Sequence, residues 1–168
     1  MLVGPRTTTG RVENIPIGIL DASGLTTDGV QVNYVPDLDI LSILASKLHM
    51  NWIKAVAGRL KSDPRYSNTL VYNTFPIPAL TEKNKSDLTH CAENILLARE
   101  AHFPATISEL YDPDNMPKDL RIAHEHNDEV IERIYIGRRF KNDTERLERL
   151  FELYAKMSLS NGSTKKKA

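Results

Sequence analysis

Pro76-Ile77-Pro78 divides this chain into two stretches with different periodicities, and the division constrains the fold more than any other feature. Proline has no N–H to donate and holds φ near −65°, so the segment ends whatever element precedes it. Beyond it, apolar residues recur at every third or fourth position, the spacing of amphipathic helices. Thr81 is placed to cap a helix with Leu88, Ala92, Ile95, Leu96 and Phe103 on one face. Residues 108–113 read as a short helical turn. Pro117 sits where a first helical turn tolerates it, opening a helix with Leu120, Ala123, Asn127, Val130, Ile131 and Ile134. Asn142 or Asp143 caps a last helix carrying Leu147, Leu150, Phe151, Tyr154 and Met157. The polar end, 159–168, is expected to be disordered.

Ahead of the prolines the character is mixed. Residues 1–35 are rich in Gly, Thr and β-branched side chains, and strands are predicted over Asn14–Leu20 and Gly29–Val35, separated by the turn-prone Asp21–Asp28. Two strands do not make a stable sheet alone. The segment therefore reads either as the tail of a β domain begun upstream or as a small hairpin packed on helices. Pro36-Asp37 opens a helix, with Asp37 as its cap and Leu38, Leu41, Leu44 or Ala45, Leu48 and Trp52 at helical spacing, and Gly58 is its predicted stop. Trp52 on that stripe reads as core rather than as a base-stacking platform. Thr69–Phe75 has strand composition. The expected fold is α+β, with a short β-containing portion over 1–78 followed by a mainly α-helical bundle over 79–158.

A chain of 168 residues can bury a real core. Lys plus Arg number 22 against 22 Asp plus Glu, so the chain is no polycation and nucleic-acid binding would have to come from a local patch. A single cysteine, Cys91, excludes an internal disulfide and suits a reducing cytosol. No apolar run approaches a membrane span, and the N-terminus lacks the apolar core of a signal peptide. A cytoplasmic location is expected. No glycine-rich phosphate loop follows a strand, no G-x-S-x-G elbow is present, and Cys91 has only His90 as a basic neighbour. His124 and His126, two apart, face different sides of a helix and make no metal pair. The acids of 125–132 read as a solvated face, and His124 as a boundary or partly buried residue. Neither a metal site nor an enzyme is expected from these residues.

One stretch does concentrate charge. Lys54, Arg59, Lys61 and Arg65 stand against a single acid, Asp63, in a basic turn between the predicted helix and strand. Lysine donates to O6 and N7 of guanine and aspartate accepts from N4 of cytosine, so Lys61 and Asp63 together address both edges of one G·C pair. Arg59 and Arg65 would neutralise phosphates and fix register without reading sequence. Lys54, Ser62, Tyr66 and Ser67 would support that backbone contact. The alternative is a surface loop with a local Lys61–Asp63 ion pair, worth little energetically.

The string SKLHMNWIKAVAGRLKSDPRYSNTLVYNTFPIP resembles the end of the target-recognition domain of MmeI-type restriction–modification enzymes. LLAREAHFPATISELYDPDNMPKDLRIAHEHNDEVIERIY is similar to that family's C-terminal helical segment, and ERLERLFELYAKM to its final helix. The likeness covers roughly residues 12–158. Such enzymes join an endonuclease, an adenine-N6 methyltransferase and one shared DNA-reading domain. The resemblance implies that Lys61 and Asp63 help choose one base pair, with guanine on the strand that is read. Pro64 departs from the family pattern, in which a bulky residue precedes Arg-Tyr-Ser, and would stiffen the turn. The methyltransferase Asn-Pro-Pro-Tyr-type motif, the glycine-rich cofactor site and the nuclease carboxylates are not in this sequence. S-adenosylmethionine and Mg are thus expected of a full-length enzyme and not of this chain. The chain would be a C-terminal piece (a remnant, a separate specificity part or a cloned domain) with double-stranded DNA and the upstream methyltransferase and nuclease domains as partners. Self-association through exposed apolar faces is also expected of such a piece. A helical assembly module without DNA contact is the competing reading, favoured if the basic turn proves buried or paired.

Overall fold

A computed structural model describes residues 1–21, 23–34, 37–61 and 63–164, with backbone alone for 160–164. Among the described residues, β1 (Leu2–Pro5) is the centre of a three-stranded antiparallel sheet, flanked by β2 (Gly18–Ile19) and β3 (Val30–Asn33). Leu2 pairs with Ile19 on one side and Asn33 on the other. The sheet is thus built around a strand that the sequence did not reveal, and the expected strand over 14–20 shrinks to two residues. Asn14, Ile15 and Ile17 are instead buried in the loop that crosses beneath the sheet.

The single helix expected from Asp37 to Gly58 is two, α1 (Leu38–Leu44) and α2 (Lys47–Val56). The break is chemical. The Ser46 hydroxyl donates to Ile43 O at 2.7 Å and accepts from His49 N at 3.1 Å, ending one helix and capping the next. Asp37 occupies the cap position of α1 without a side-chain cap bond, and Pro36 lies outside the described residues. Trp52 is in the core as expected, 1% exposed. Its Nε1 donates to Thr74 Oγ1 at 3.2 Å.

The strand predicted over 69–75 is not one. Residues 68–71 form a turn and Tyr72–Thr74 a single 3-10 turn. Phe75 N donates to Val71 O at 3.0 Å, and these two buried residues stand four apart, so the segment packs at helical spacing. Among the described residues no strand pairs with it, so its β-type composition has no ladder to complete.

The helical half follows more closely: α3 (Glu82–Glu100), α4 (Ile107–Leu110), α5 (Lys118–Ile136) and α6 (Asp143–Thr164). Thr81 caps α3 through Asn84 N, and Asn142 Oδ1 accepts from Glu145 N to cap α6. Gly137, at φ 77°, closes α5 in the left-handed conformation that costs a side chain most. Phe103 leaves the α3 face because the helix stops at Glu100, and it is 86% exposed. α6 runs through 159–164, part of the stretch expected to be disordered, and a lone Gly162 costs the helix only about 1 kcal/mol. Residues 165–168 lie outside the described residues.

The two halves share a core. One apolar cluster joins Leu2, Ile15, Leu41, Ile53 and Phe75 to Leu88, Ala92, Ile131, Tyr135 and Leu150. α1 packs on α3, and α2 on α5 and α6. Polar bonds cross the same seam. Ser42 Oγ donates to Asn127 Oδ1, and Asn127 Nδ2 returns a bond to Ser42 O at 3.0 Å. Asn51 Nδ2 reaches Asp143 at 3.2 Å.

The acids of 125–132 are split: Glu125 is exposed and Glu129 half-buried, but Asp128 and Glu132 do not belong to a solvated face. Asp128 and Glu132 are 6% and 1% exposed. Glu132 accepts from Arg146 (2.6 and 2.8 Å), Arg139 (2.7 Å) and Phe140 N (3.1 Å). His124 is buried rather than at a boundary. Its Nε2 meets the Tyr111 hydroxyl at 2.6 Å, and burial holds its pKa down at about 3. Cys91 is buried as well, its thiol pushed up to about 11 by desolvation, as suits an unreactive core residue.

Candidate nucleic-acid interface

The basic stretch is a β-hairpin. One residue after α2, β4 (Gly58–Leu60) turns back as β5 (Asp63–Arg65), with Gly58 opposite Arg65, Arg59 opposite Pro64 and Leu60 opposite Asp63. The loop is the two residues 61 and 62, and Ser62 lies outside the described residues. Lys61 has φ 57°, as the first position of the two-residue turns favoured in hairpins requires. Asn or Gly usually fills that position. A lysine accepts a local cost of about 1–2 kcal/mol to stand there.

Two supports hold the hairpin. α2 leads into it through Ala57, whose N–H donates to Ile53 O at 2.9 Å. On its other edge the N-terminal segment adds a third strand-like line. Thr8 N donates to Pro64 O (3.3 Å), Tyr66 N donates to Arg6 O (2.7 Å), and Thr7 bridges Arg65. Pro64 is buried in this seam.

Lys54, Arg59, Lys61 and Arg65 are exposed, and Asp63 is half-buried. Asp63 and Arg65 are two apart on one strand and therefore share a face. Among the described residues, no ion pair joins Lys61, at the turn, to Asp63, on β5. Tyr66 turns inward. It is 6% exposed, its hydroxyl donates to His49 Nε2 at 3.4 Å, and burial raises its pKa. Tyr66 thus braces the hairpin's base and does not face outward. His49 Nδ1–H donates to Leu44 O at 2.8 Å, and burial lowers its pKa to about 4, so it stands neutral behind the hairpin. Ser67 Oγ accepts from Leu70 N at 3.4 Å, closing the following turn.

Arg6 and Gln31 join Arg59, Arg65 and Ser67 around a shallow depression beside the hairpin. No sequence pattern marks them: the pairing of residues 6–8 with 64–66 brings Arg6 there, and the pairing of β1 with β3 brings Gln31. Among the described residues, no cluster of His, Cys, Asp and Glu fits a metal ion, and no helix is long and apolar enough to cross a membrane.

Residues 1–79 match the family model "MmeI, target recognition domain", and residues 80–160 match "MmeI, C-terminal domain". A curated relative, DNA methyltransferase A of Bacillus subtilis (strain 168), is 44% identical over 144 residues, which cover 86% of this chain and 16% of that protein. The solved structure of the type IIL restriction–modification enzyme MmeI in complex with DNA superposes with a TM-score of 0.87 at 34% identity, over 94% of this chain and 21% of that one. The chain thus spans about a sixth to a fifth of the length of the relatives it matches. With the two family models matching residues 1–79 and 80–160 and the fold shared with a solved member, this chain belongs to the MmeI family.

Proposed function

We propose that this chain is a DNA-recognition module of a restriction–modification enzyme, and that the 58–65 hairpin enters the major groove, where Lys61 and Asp63 read one G·C pair. The observation that carries this reading is Lys61 itself, a long cationic side chain at a positive φ on the exposed tip of a doubly supported hairpin. A two-stranded ribbon fits the major groove, and a residue kept in a costly conformation at a tip is a functional signal. Exposure of Lys54, Lys61 and Arg65 supports DNA reading over the assembly reading, which a buried turn would have favoured. Arg59, Arg65 and Lys54 would contact phosphates, with Ser62 and Ser67 supporting and Tyr66 bracing from behind. In this reading, methyl transfer from S-adenosylmethionine and Mg-dependent cleavage belong to other domains of such an enzyme.

Selection of a randomised duplex library at low salt tests base reading. The expected result is enrichment of one G·C position whose identity changes in a Lys61→Glu, Asp63→Arg variant. Each good base contact contributes about 1–3 kcal/mol of discrimination. Uniform, salt-sensitive binding by both proteins would reduce the hairpin to a phosphate contact and overturn the base-reading assignment.

Lys61→Gly separates function from fold. Glycine relieves the positive-φ cost, so the thermal midpoint is expected to hold or rise, while binding to the selected duplex weakens roughly tenfold or more. A drop in thermal midpoint without loss of binding would show that Lys61 is there for the turn and not for DNA.

A further inference from the structure

Both supports of the hairpin converge on one buried carboxylate. Asp128, on α5, accepts through Oδ1 from the backbone N–H of Lys47, the first residue of α2, at 2.7 Å. Through Oδ2 it accepts from Asn14 Nδ2 at 3.3 Å, and Asn14 Nδ2 also donates to Ala45 O at 3.1 Å. Asn14 belongs to the same N-terminal segment whose residues 6–8 form the hairpin's outer seam. α2 is the rod, about 15 Å long by its ten residues, whose far end passes into β4. We propose that Asp128 is a positioning residue, through which the C-terminal helices set the placement of the reading hairpin by holding α2 and the N-terminal segment together. This rests on the reading of the hairpin as a DNA-recognition element.

The chemistry favours a carboxylate here over a neutral isostere. The first N–H groups of a helix have no intrahelical partner and sit at the positive end of its dipole. A carboxylate offers an acceptor to each of two donors arriving from different segments. An amide at 128 keeps one acceptor and turns an N–H2 toward the other donor, so one of the two supports is released while volume and helix are kept.

Retaining the charge is costly. Asp128 is 6% exposed, and burial pushes its pKa up to about 7. The groups that face it are Lys47, whose Nζ pairs with Glu13 at 3.1 Å, then Arg11 and Glu13 of the N-terminal loop, and Arg121, His124, Glu125 and Glu132 on its own helix. Arg139 acts from beyond the end of α5. Between the ordinary carboxylate value of 3.8 and about 7 the folded chain binds one more proton here than the unfolded chain. Stability from this group therefore falls as pH rises through that window and is flat above it. Ionisation at Asp128 strengthens the two supports while lowering the stability of the whole, as expected of a group kept for placement.

The test follows backbone amide NMR signals of the full chain, without DNA, between about pH 5.5 and 8.5. In the wild type, Gly58, Arg59, Leu60, Asp63 and Arg65 should titrate with the same midpoint as Lys47 N–H and the Asn14 side-chain amide. In Asp128→Asn that midpoint should vanish, and so should the pH slope of thermal stability above about pH 6.5, where the buried His49 and His124 no longer contribute one. Hairpin signals that ignore pH, or that titrate identically in the variant, would overturn the proposal, and the wild-type series needs no variant to fold. In a second arm at pH 8, Asp128→Asn should lose roughly fivefold or more in discrimination between the selected duplex and the same duplex changed at its G·C pair, with no fall in thermal midpoint. If the amide coupling is seen but Lys61 and Asp63 variants discriminate as well as wild type, the base-reading assignment fails and the positioning role stands.

Discussion

A chain ended at Ala79 is expected to lose its cooperative unfolding transition and the spread of its amide signals. The cut falls between the two matched family regions, yet it does not separate two cores. Leu88, Ala92, Ile131, Tyr135, Phe140 and Leu150 all lie beyond it and all belong to the cluster that buries Leu2, Leu41 and Phe75. At about 1.5–3 kcal/mol for a large apolar side chain returned to water, removing these six and exposing their partners costs on the order of 10 kcal/mol, as much as a typical domain's whole stability. Bonds would be orphaned too, among them those of Ser42 to Asn127 and of Lys47 N to Asp128. Urea titration and two-dimensional NMR of residues 1–79 check this. A sigmoidal transition with dispersed amides would show that the first region folds by itself. DNA-binding experiments therefore call for both regions together.

Glu132→Gln should lower stability by about 3–5 kcal/mol, the usual cost of breaking a buried pair by removing one charge. Arg146 is 8% exposed at its side chain and Glu132 1%. With the carboxylate gone, the guanidinium keeps only Asp143, at 2.8 Å, as an anionic partner. Arg139 and the Phe140 N–H, which share the other oxygen, are weakened as well. The link between α5 and α6 is tied at this point, so the shift should appear in the urea midpoint with little change in slope. Glu132→Leu combined with Arg146→Met should recover much of the loss, because a well-packed apolar pair avoids burying charge. Failure of the double variant to recover would point to the Phe140 bond as the larger share.

The helical half was legible because its rules are local. Thr81 and Asn142 act on the backbone within a few residues, and the apolar stripes repeat at a spacing set by the helix itself. What escaped depends on distant partners. β1 was hidden because Leu2-Val-Gly-Pro reads as strand only once β2 and β3 lie beside it. Thr69–Phe75 has strand composition but no partner strand, and it folded as turns. Asp128 and Glu132 carry no mark that distinguishes them from Glu125 or Glu129. Their burial follows from Lys47, Asn14 and Arg146 meeting them across the seam. At the candidate site, picked from residue chemistry, Arg59, Lys61, Asp63 and Arg65 lie on one hairpin because they are close in sequence, while Lys54 stands just before it on α2. Tyr66, chosen by the same chemistry, faces inward because the alternation set by the 64–66 pairing sends it to His49.

Trp52 is the sole tryptophan of the chain and stands where α2 meets α6. Its ring lies 5.1 Å from Phe151, 5.7 Å from Tyr154 and 6.4 Å from Phe75. One chromophore thus borders the last helix, the rod that carries the hairpin, and the return segment after it. The chain carries its own optical gauge. Emission from a single source shifts toward blue while this joint stays dry and reddens once water enters. A label-free fluorescence trace can therefore follow the docking of the C-terminal helix, in real time and at low protein concentration, while DNA, salt or pH is varied.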